Sequence, residues 1–173
     1  MKLNTFGIST LVLYTILFSI LLTSAPESIA RGRDFRLKTR FTGANTCLDM
    51  INDGLNKTPA MATCGNYTGQ AWQLVSTDEA GYFKLQNDFS GPAMCLDIVN
   101  DGKNNQPVMS ACGNFSGQLW RFEASSERKY AKLKNTFSGE SMCLDIINDG
   151  RNNQLIMSNC DQVTGQFWRN TAF

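Results

Sequence analysis

Histidine is absent from all 173 residues. That removes the commonest general base, the commonest metal ligand and every Ser-His or Cys-His nucleophile pair. An excess of one charge is lacking too. Sixteen Lys and Arg face fifteen Asp and Glu, leaving +1, so bulk charge recruits neither nucleic acid nor an anionic membrane. Amphipathic helical stretches are missing as well, which leaves strands as the building material.

Apolar runs are confined to the start. Met1-Lys2 gives a short positive segment, Ile8 to Leu22 an apolar run, and Ser28-Ile29-Ala30 the small residues of a cleavage site. The expectation is a signal peptide over residues 1–30 and a mature chain beginning near Arg31, with no membrane insertion after cleavage. A membrane anchor is the competing reading, but a spanning helix needs roughly 20 apolar residues and this run is shorter. Export implies a secreted or extracytoplasmic location. There, the six cysteines form disulfides rather than a zinc site or a reactive thiol.

What is present is a repeat. Cysteines fall at Cys47, Cys95 and Cys143, then at Cys64, Cys112 and Cys160, and tryptophans at Trp72, Trp120 and Trp168, every step being 48 residues. Such a period marks one supersecondary unit that cannot bury its apolar face alone. Residues 31–173 hold three copies, at about 35–82, 83–130 and 131–173, and no second domain fits.

Within each copy, Phe35 to Phe41 and Phe83 to Phe89 alternate apolar with polar, as do Ala131, Leu133 and Phe137, which reads as a half-buried strand. Cys-Leu-Asp at Cys47, Cys95 and Cys143 opens a second strand rich in β-formers. Asn-Asp-Gly at Asn52, Asn100 and Asn148 then predicts a tight primed hairpin turn. A third strand runs to the second cysteine, and a glycine-containing loop leads to a fourth carrying the tryptophan. The fold class is therefore all-β, with four strands per repeat.

Solenoids carry atypical end repeats that cap exposed faces. Here the first and last copies keep the same Cys, Asp, Gly, Gln and Trp as the middle one. Closure around a pseudo-threefold axis is expected, with the first and last strands meeting and Leu48, Leu96, Leu144 and the tryptophans facing inward. Threefold equivalence leaves three of the fifteen disulfide pairings: one within repeats and two that run cyclically between them. The within-repeat set, Cys47–Cys64, Cys95–Cys112 and Cys143–Cys160, is preferred, because each bridges neighbouring strands only about 5 Å apart.

Gln70-Ala71-Trp72, Gln118-Leu119-Trp120 and Gln166-Phe167-Trp168, each following Cys-Leu-Asp at constant spacing, resemble the triple Gln-x-Trp motif of ricin-type β-trefoil lectins. The resemblance covers the whole mature chain. It implies a β-trefoil of six two-stranded hairpins, three closing a barrel and three capping it, and up to three shallow sugar sites, one per repeat.

A pyranose offers vicinal hydroxyls to a carboxylate and a C–H face to an aromatic ring. By the resemblance the carboxylates are Asp49, Asp97 and Asp145, expected to present the same acidic notch to solvent in each copy. Their bland alternative is a local staple for the hairpin. Two departures bear on specificity. The aromatic that galactose-binding relatives place just before the second cysteine is replaced by Ala62, Ser110 and either Ser158 or Asn159. The Asn that precedes their motif Gln is Gly69, Gly117 or Gly165. Tyr67 and Phe115 supply a ring instead, or merely pack the loop as a small satellite cluster, with Val163 in the third copy; Asn66 and Asn114 offer the amide, with Gln162 in the third, so the first two pockets are the better candidates. Asn56, Asn104 and Asn152 follow the Asn-Asp-Gly turn toward the same rim. Gln70, Gln118 and Gln166 divide between holding buried backbone and a secondary bond to sugar or aspartate.

Other chemistry fits poorly. Asp145 to Gly150 resembles the start of a calcium loop, but Ile147 and Ile156 occupy positions that need oxygen ligands. No metal and no cofactor is expected. Glycoside hydrolysis needs two carboxyls of different environment flanking one bond, whereas these acids recur identically, so no enzyme is expected. Two function classes remain: a secreted lectin, with carbohydrate or glycoconjugate as partner, and a non-catalytic interaction subunit of a toxin or enzyme complex whose sugar sites have degenerated.

Overall fold

The computed structural model describes residues 33–55 and 57–173. The expected signal peptide, its cleavage point near Arg31 and Asn56 lie outside the described residues. No helix among the described residues is long and apolar enough to cross a membrane.

Among the described residues, twelve short strands follow one another. They are β1 (Phe35–Thr39), β2 (Thr46–Met50), β3 (Pro59–Thr63) and β4 (Trp72–Ser76), then β5 (Phe83–Asn87), β6 (Met94–Ile98), β7 (Pro107–Ala111) and β8 (Trp120–Ala124). The third set is β9 (Ala131–Asn135), β10 (Met142–Ile146), β11 (Leu155–Asn159) and β12 (Trp168–Ala172). Six of them close a barrel in the order β1-β12-β9-β8-β5-β4, and β2-β3, β6-β7 and β10-β11 form three separate hairpins. This is a β-trefoil. The first and last strands meet as expected, Phe35 facing Ala172 and Thr39 facing Trp168, so the barrel keeps no unpaired edge.

Alternation along the barrel strands turns one face inward. Leu37, Leu85 and Leu133 are fully buried there, as are Leu48, Leu96 and Leu144 from the cap hairpins and all three tryptophans. Each indole donates its Nε1–H to a cap carbonyl: Trp72 to Leu48 (2.9 Å), Trp120 to Leu96 (2.8 Å) and Trp168 to Leu144 (2.8 Å). The tryptophan thus fills the core and rivets the barrel to the hairpin carrying the aspartate. The cap hairpins are also locked to one another in a cycle. The amide of Met61 donates to Asn153 (2.8 Å), that of Met109 to Lys57 (2.7 Å) and that of Met157 to Asn105 (2.6 Å), each crossing into another repeat.

The disulfides pair within repeats, Cys47–Cys64, Cys95–Cys112 and Cys143–Cys160, each with Cα atoms 5.0 Å apart. Each closes a short loop and restricts the unfolded chain, a contribution of about 3 kcal/mol in the chain-entropy treatment.

One local expectation is corrected. Asn-Asp-Gly does not make a tight primed turn, because β2 ends at Met50 and β3 begins at Pro59, so the motif lies inside a longer connection. Its aspartates instead cap their own loops. Asp101 Oδ1 accepts from the amides of Asn104 (2.8 Å) and Lys103 (3.0 Å), and Asp149 Oδ1 from those of Asn152 (2.9 Å) and Arg151 (3.0 Å). Those amides hold both carboxyls below the usual carboxylate range. Positive φ falls on the following glycines and, at 54° and 55°, on Asn104 and Asn152, a conformation asparagine tolerates better than most residues.

Candidate functional site

The Gln of each Gln-x-Trp motif closes a short 3-10 turn, and its side chain points into the protein. Gln118 is fully buried. Its Oε1 accepts the amide of Gly113 (2.8 Å), while Nε2 donates to Ala111 O (2.8 Å), Ser110 Oγ (2.9 Å) and Asp97 Oδ2 (3.0 Å). Gln166 repeats this with Asp161, Asn159, Ser158 and Asp145, and Gln70 with Gly65, Thr63 and Asp49. One amide therefore ties the loop after the second cysteine, the third strand and the aspartate of the second strand. Of the roles expected for Gln70, Gln118 and Gln166, the contacts made are those that hold buried backbone and the aspartate. The three side chains have essentially no accessible surface, and every donor is engaged by the protein.

The aspartates also depart from the expected picture of three equal, solvent-facing notches. Asp49 and Asp97 are 9% and 5% exposed, and Asp145 is half-buried. Ser110 Oγ donates to Asp97 Oδ2 (2.5 Å) and Ser158 Oγ to Asp145 Oδ2 (2.8 Å). Cys47 faces Ala62, Cys95 faces Ser110 and Cys143 faces Ser158 across the cap hairpins. Ser158, not Asn159, is therefore the third-copy equivalent, and Asp49 alone lacks a serine. Burial pushes the Asp49 carboxyl up, against the Gln70 amide and the backbone of Met50, which favour its ionised form.

The second carboxylate oxygen explains the glycines. A Cβ on Gly69, Gly117 or Gly165 would lie 2.1 Å from Oδ1 of Asp49, Asp97 or Asp145, so carboxylate and side chain compete for one volume. At Gly117 the carbonyl of Ile98 is also only 2.3 Å from that point, and backbone yields poorly. Gly117→Ala is expected to destabilise by about 1–3 kcal/mol and to dislodge Asp97. Chemical denaturation checks this, and a variant as stable as the parent would refute the crowding.

Above these carboxylates the second and third repeats form open clefts. One, of about 610 Å³, is bounded by Asp97, Asn100, Ser110, Asn114, Phe115 and Phe137. The other, of about 670 Å³, is bounded by Phe41, Asp145, Ile147, Ile156, Gln162 and Val163. Sequence reasoning missed Phe41 and Phe137, which come from the turn after the first strand of another repeat. Their 48-residue period with Phe89 was visible, but the alternation assigned them to a strand. Buried Asn135 positions the second of them: its Nδ2 donates to Gly117 O (2.7 Å) and its Oδ1 accepts from Phe137 N (3.0 Å).

Phe115 is 59% exposed and Tyr67 is 62% exposed, and each ring lies back over a glycine. A Cβ on Gly113 would meet Phe115 at 2.3 Å and one on Gly65 would meet Tyr67 at 2.2 Å. The third copy has Asp161 and Val163 at these positions. Ring and glycine thus occur together or not at all. Asn66 and Asn114 are exposed on the same loops.

The profile of the ricin-type beta-trefoil lectin domain matches residues 34–168. The chain belongs to this family. Sequence comparison of this ricin-type domain with curated proteins finds no match. Among solved structures, the designed threefold-symmetric protein ThreeFoil superimposes with a TM-score of 0.68 at 24% identity, covering 81% of this chain and 99% of that one. SeviL bound to asialo-GM1 saccharide gives 0.60 at 20%, covering 81% and 97%. A mosquitocidal holotoxin gives 0.68 at 17%, with 83% of this chain matched but only 16% of the toxin. At these identities the likeness shows the fold, and the ricin-type domain spans a small part of the larger neighbour.

Proposed function

We propose that this ricin-type domain is a secreted, non-catalytic carbohydrate-binding protein that grips glycans through the clefts of its second and third repeats, and that residues 31–173 are the exported unit. The observation that carries the reading is the second cleft. A carboxylate edge fixed by Gln118 and Ser110, the exposed amide of Asn114 and the rings of Phe115 and Phe137 converge there on one open space. Polar groups meeting hydroxyls and rings meeting C–H faces are what a pyranose requires. The third cleft pairs Phe41 with Gln162 and aliphatic walls, so the two sites differ in preference. Such shallow sites bind weakly one at a time, and simultaneous engagement of a branched or surface-bound glycan raises the apparent affinity. Asp49, Asn66 and Tyr67 form the equivalent corner of the first repeat.

The test is retention on mixed sugar resins with elution by free sugar. Phe115→Ala is expected to weaken retention about tenfold, the scale of one lost ring contact, with no change in fold. Asp97→Asn, which keeps the volume, is expected to weaken it as well. Unchanged retention for both variants would rule out the second cleft. The exposed rings of Tyr67 and Phe115 and the side chain of Leu55, 76% exposed, suit the second reading, a docking subunit of a toxin or enzyme assembly. Failure of every sugar to compete would favour it.

A further inference from the structure

The three barrel hairpins provide an internal comparison, because the same five outward positions recur every 48 residues. On β8–β9 they hold Arg121, Glu123, Lys132, Lys134 and Glu140. The cations are neutralised locally: Arg121 pairs with Glu123 (3.1 Å) and with Glu140, and Lys134 with Glu123 (2.9 Å). Three positive and two negative charges leave +1. On β4–β5 the equivalents are Gln73, Val75, Lys84, Gln86 and Pro92, again +1. On β12–β1 they are Arg169, Thr171, Arg36, Lys38 and Ala44. The cation triad is complete there and both glutamates are gone, leaving +3 at these five positions; Asp34, on the same wall beside Thr171 and Phe173, is turned to the side-chain amide of Gln73 (2.7 Å) and pairs with none of the three.

Like charges opposite one another on paired strands are destabilising, and Lys38 lies directly across from Arg169. Among the described residues none of the three makes an ion pair with a carboxylate. Their contacts hold the charged heads flat on the wall. Arg36 donates to Gly65 O (3.0 Å) and Ala172 O (3.3 Å), and Lys38 to Ala44 O (2.7 Å). The Arg36 guanidinium sits 4.4 Å from the centre of the Phe173 ring, and that of Arg169 sits 5.6 Å from the centre of the Tyr130 ring. Burial, then the positive fields of Arg169 and Arg36, lower the Lys38 pKa, as expected where cations crowd without a counter-charge.

We propose that the outer face of the β12–β1 hairpin binds an acidic polysaccharide, a chain carrying sulfate or carboxylate groups, through Arg36, Lys38 and Arg169. The patch is small. Two residues along a strand and one strand across span roughly 7 Å by 5 Å, which suits one or two anionic groups on a single chain. A charged membrane surface or a nucleic-acid backbone needs a broad basic face, and the neighbouring hairpins carry only +1 each. Phe173, 40% exposed beside Arg36, adds a ring for the C–H face of the sugar that bears the anion. The site shares no residue with the clefts of the second and third repeats, so a glycan presenting neutral residues to the clefts and acidic groups to the wall would be held at both.

The test grafts the missing glutamates. Ala44→Glu with Thr171→Glu gives β12–β1 the charges that β8–β9 already carries, both at accessible positions, so folding is preserved and is verified by thermal melting. Dextran sulfate is the probe, with unsulfated dextran and phosphatidylserine vesicles as controls. The parent protein is expected to bind dextran sulfate in a salt-sensitive manner, and the double variant to bind it about tenfold more weakly. Glu123→Thr with Glu140→Ala, which uncovers the second triad, is expected to bind it more tightly. Retention on neutral-sugar resins through the second cleft should stay the same in all variants, which separates this proposal from the cleft reading. Equal dextran sulfate binding by parent and grafted variant would overturn the proposal. So would dextran binding as tight as dextran sulfate, or vesicle binding as tight and equally lost on grafting.

Discussion

Gln118→Glu is expected to lose about 3–5 kcal/mol of stability at neutral pH, the scale of an uncompensated buried charge. The change is nearly isosteric, and the Gly113 amide can still donate to the new side chain. What is lost is the donor. Asp97 Oδ2 and Ala111 O, at 3.0 Å and 2.8 Å from Nε2, would face a second acceptor at a position where Gln118 has no accessible surface. Two carboxylates sharing one pocket cannot both ionise cheaply, so the pair takes up a proton with a strongly raised pKa. The sign follows. A group whose folded pKa is raised contributes its stability at low pH and loses it as pH rises through that value. The deficit should therefore shrink toward about pH 4, the ordinary carboxylate range. Urea unfolding at both pH values checks this. An equal loss at acid and neutral pH would mean that lost packing, not charge, is responsible.

Trp120→Ala is expected to cost about 3–5 kcal/mol, the range for truncating a fully buried aromatic residue. The indole has no exposed surface and donates its Nε1–H to Leu96 O at 2.8 Å. Its loss leaves both a cavity and a weakened anchor one residue before Asp97. Sugar retention through the second cleft should fall more than retention through the third, whose anchor Trp168 is intact. Trp120→Phe separates the two causes, since it restores most of the volume but not the N–H donor. Denaturation and resin retention measured on both variants decide the matter. Equal behaviour of Phe and parent would remove the hydrogen bond from the account.

The two variants act on one device, the coupling of the Gln-x-Trp motif to the strand that carries aspartate. Indole and amide of the same motif hold adjacent residues of that strand, Leu96 by its carbonyl and Asp97 by its carboxylate. That accounts for the fixed order of Cys-Leu-Asp before Gln-x-Trp in every copy. The spacing places both motif side chains opposite the same stretch of backbone once the barrel has closed.

Much of the architecture was legible because it is encoded by position along the chain. Alternation at Phe35 to Phe41, the 48-residue period of Cys and Trp, and the absence of distinct end repeats indicated strands, three units and closure. The disulfide preference followed from hairpin geometry. The Asn-Asp-Gly turn was misread because its aspartate bonds to amides two and three residues ahead, and a long connection satisfies that as readily as a tight turn.

The site was only partly legible. Asp97, Asn114 and Phe115 belong to one repeat, and their proximity follows from local order. Phe137 reaches the same cleft from the next repeat through Asn135, a contact that no local pattern announces. Direction was hidden as well: sequence could name Gln118 but not show that its amide faces inward.

The repeat by itself determined the number of lobes, their strands and their cross-links, because backbone pairing and side-chain alternation depend on near neighbours. Tertiary closure alone decided which carboxylate oxygens are covered, which phenylalanine from another lobe faces Asp97, and which barrel hairpin keeps its cations without glutamates beside them. Those outcomes depend on distances between residues far apart in the chain, and such distances exist only once the barrel has closed.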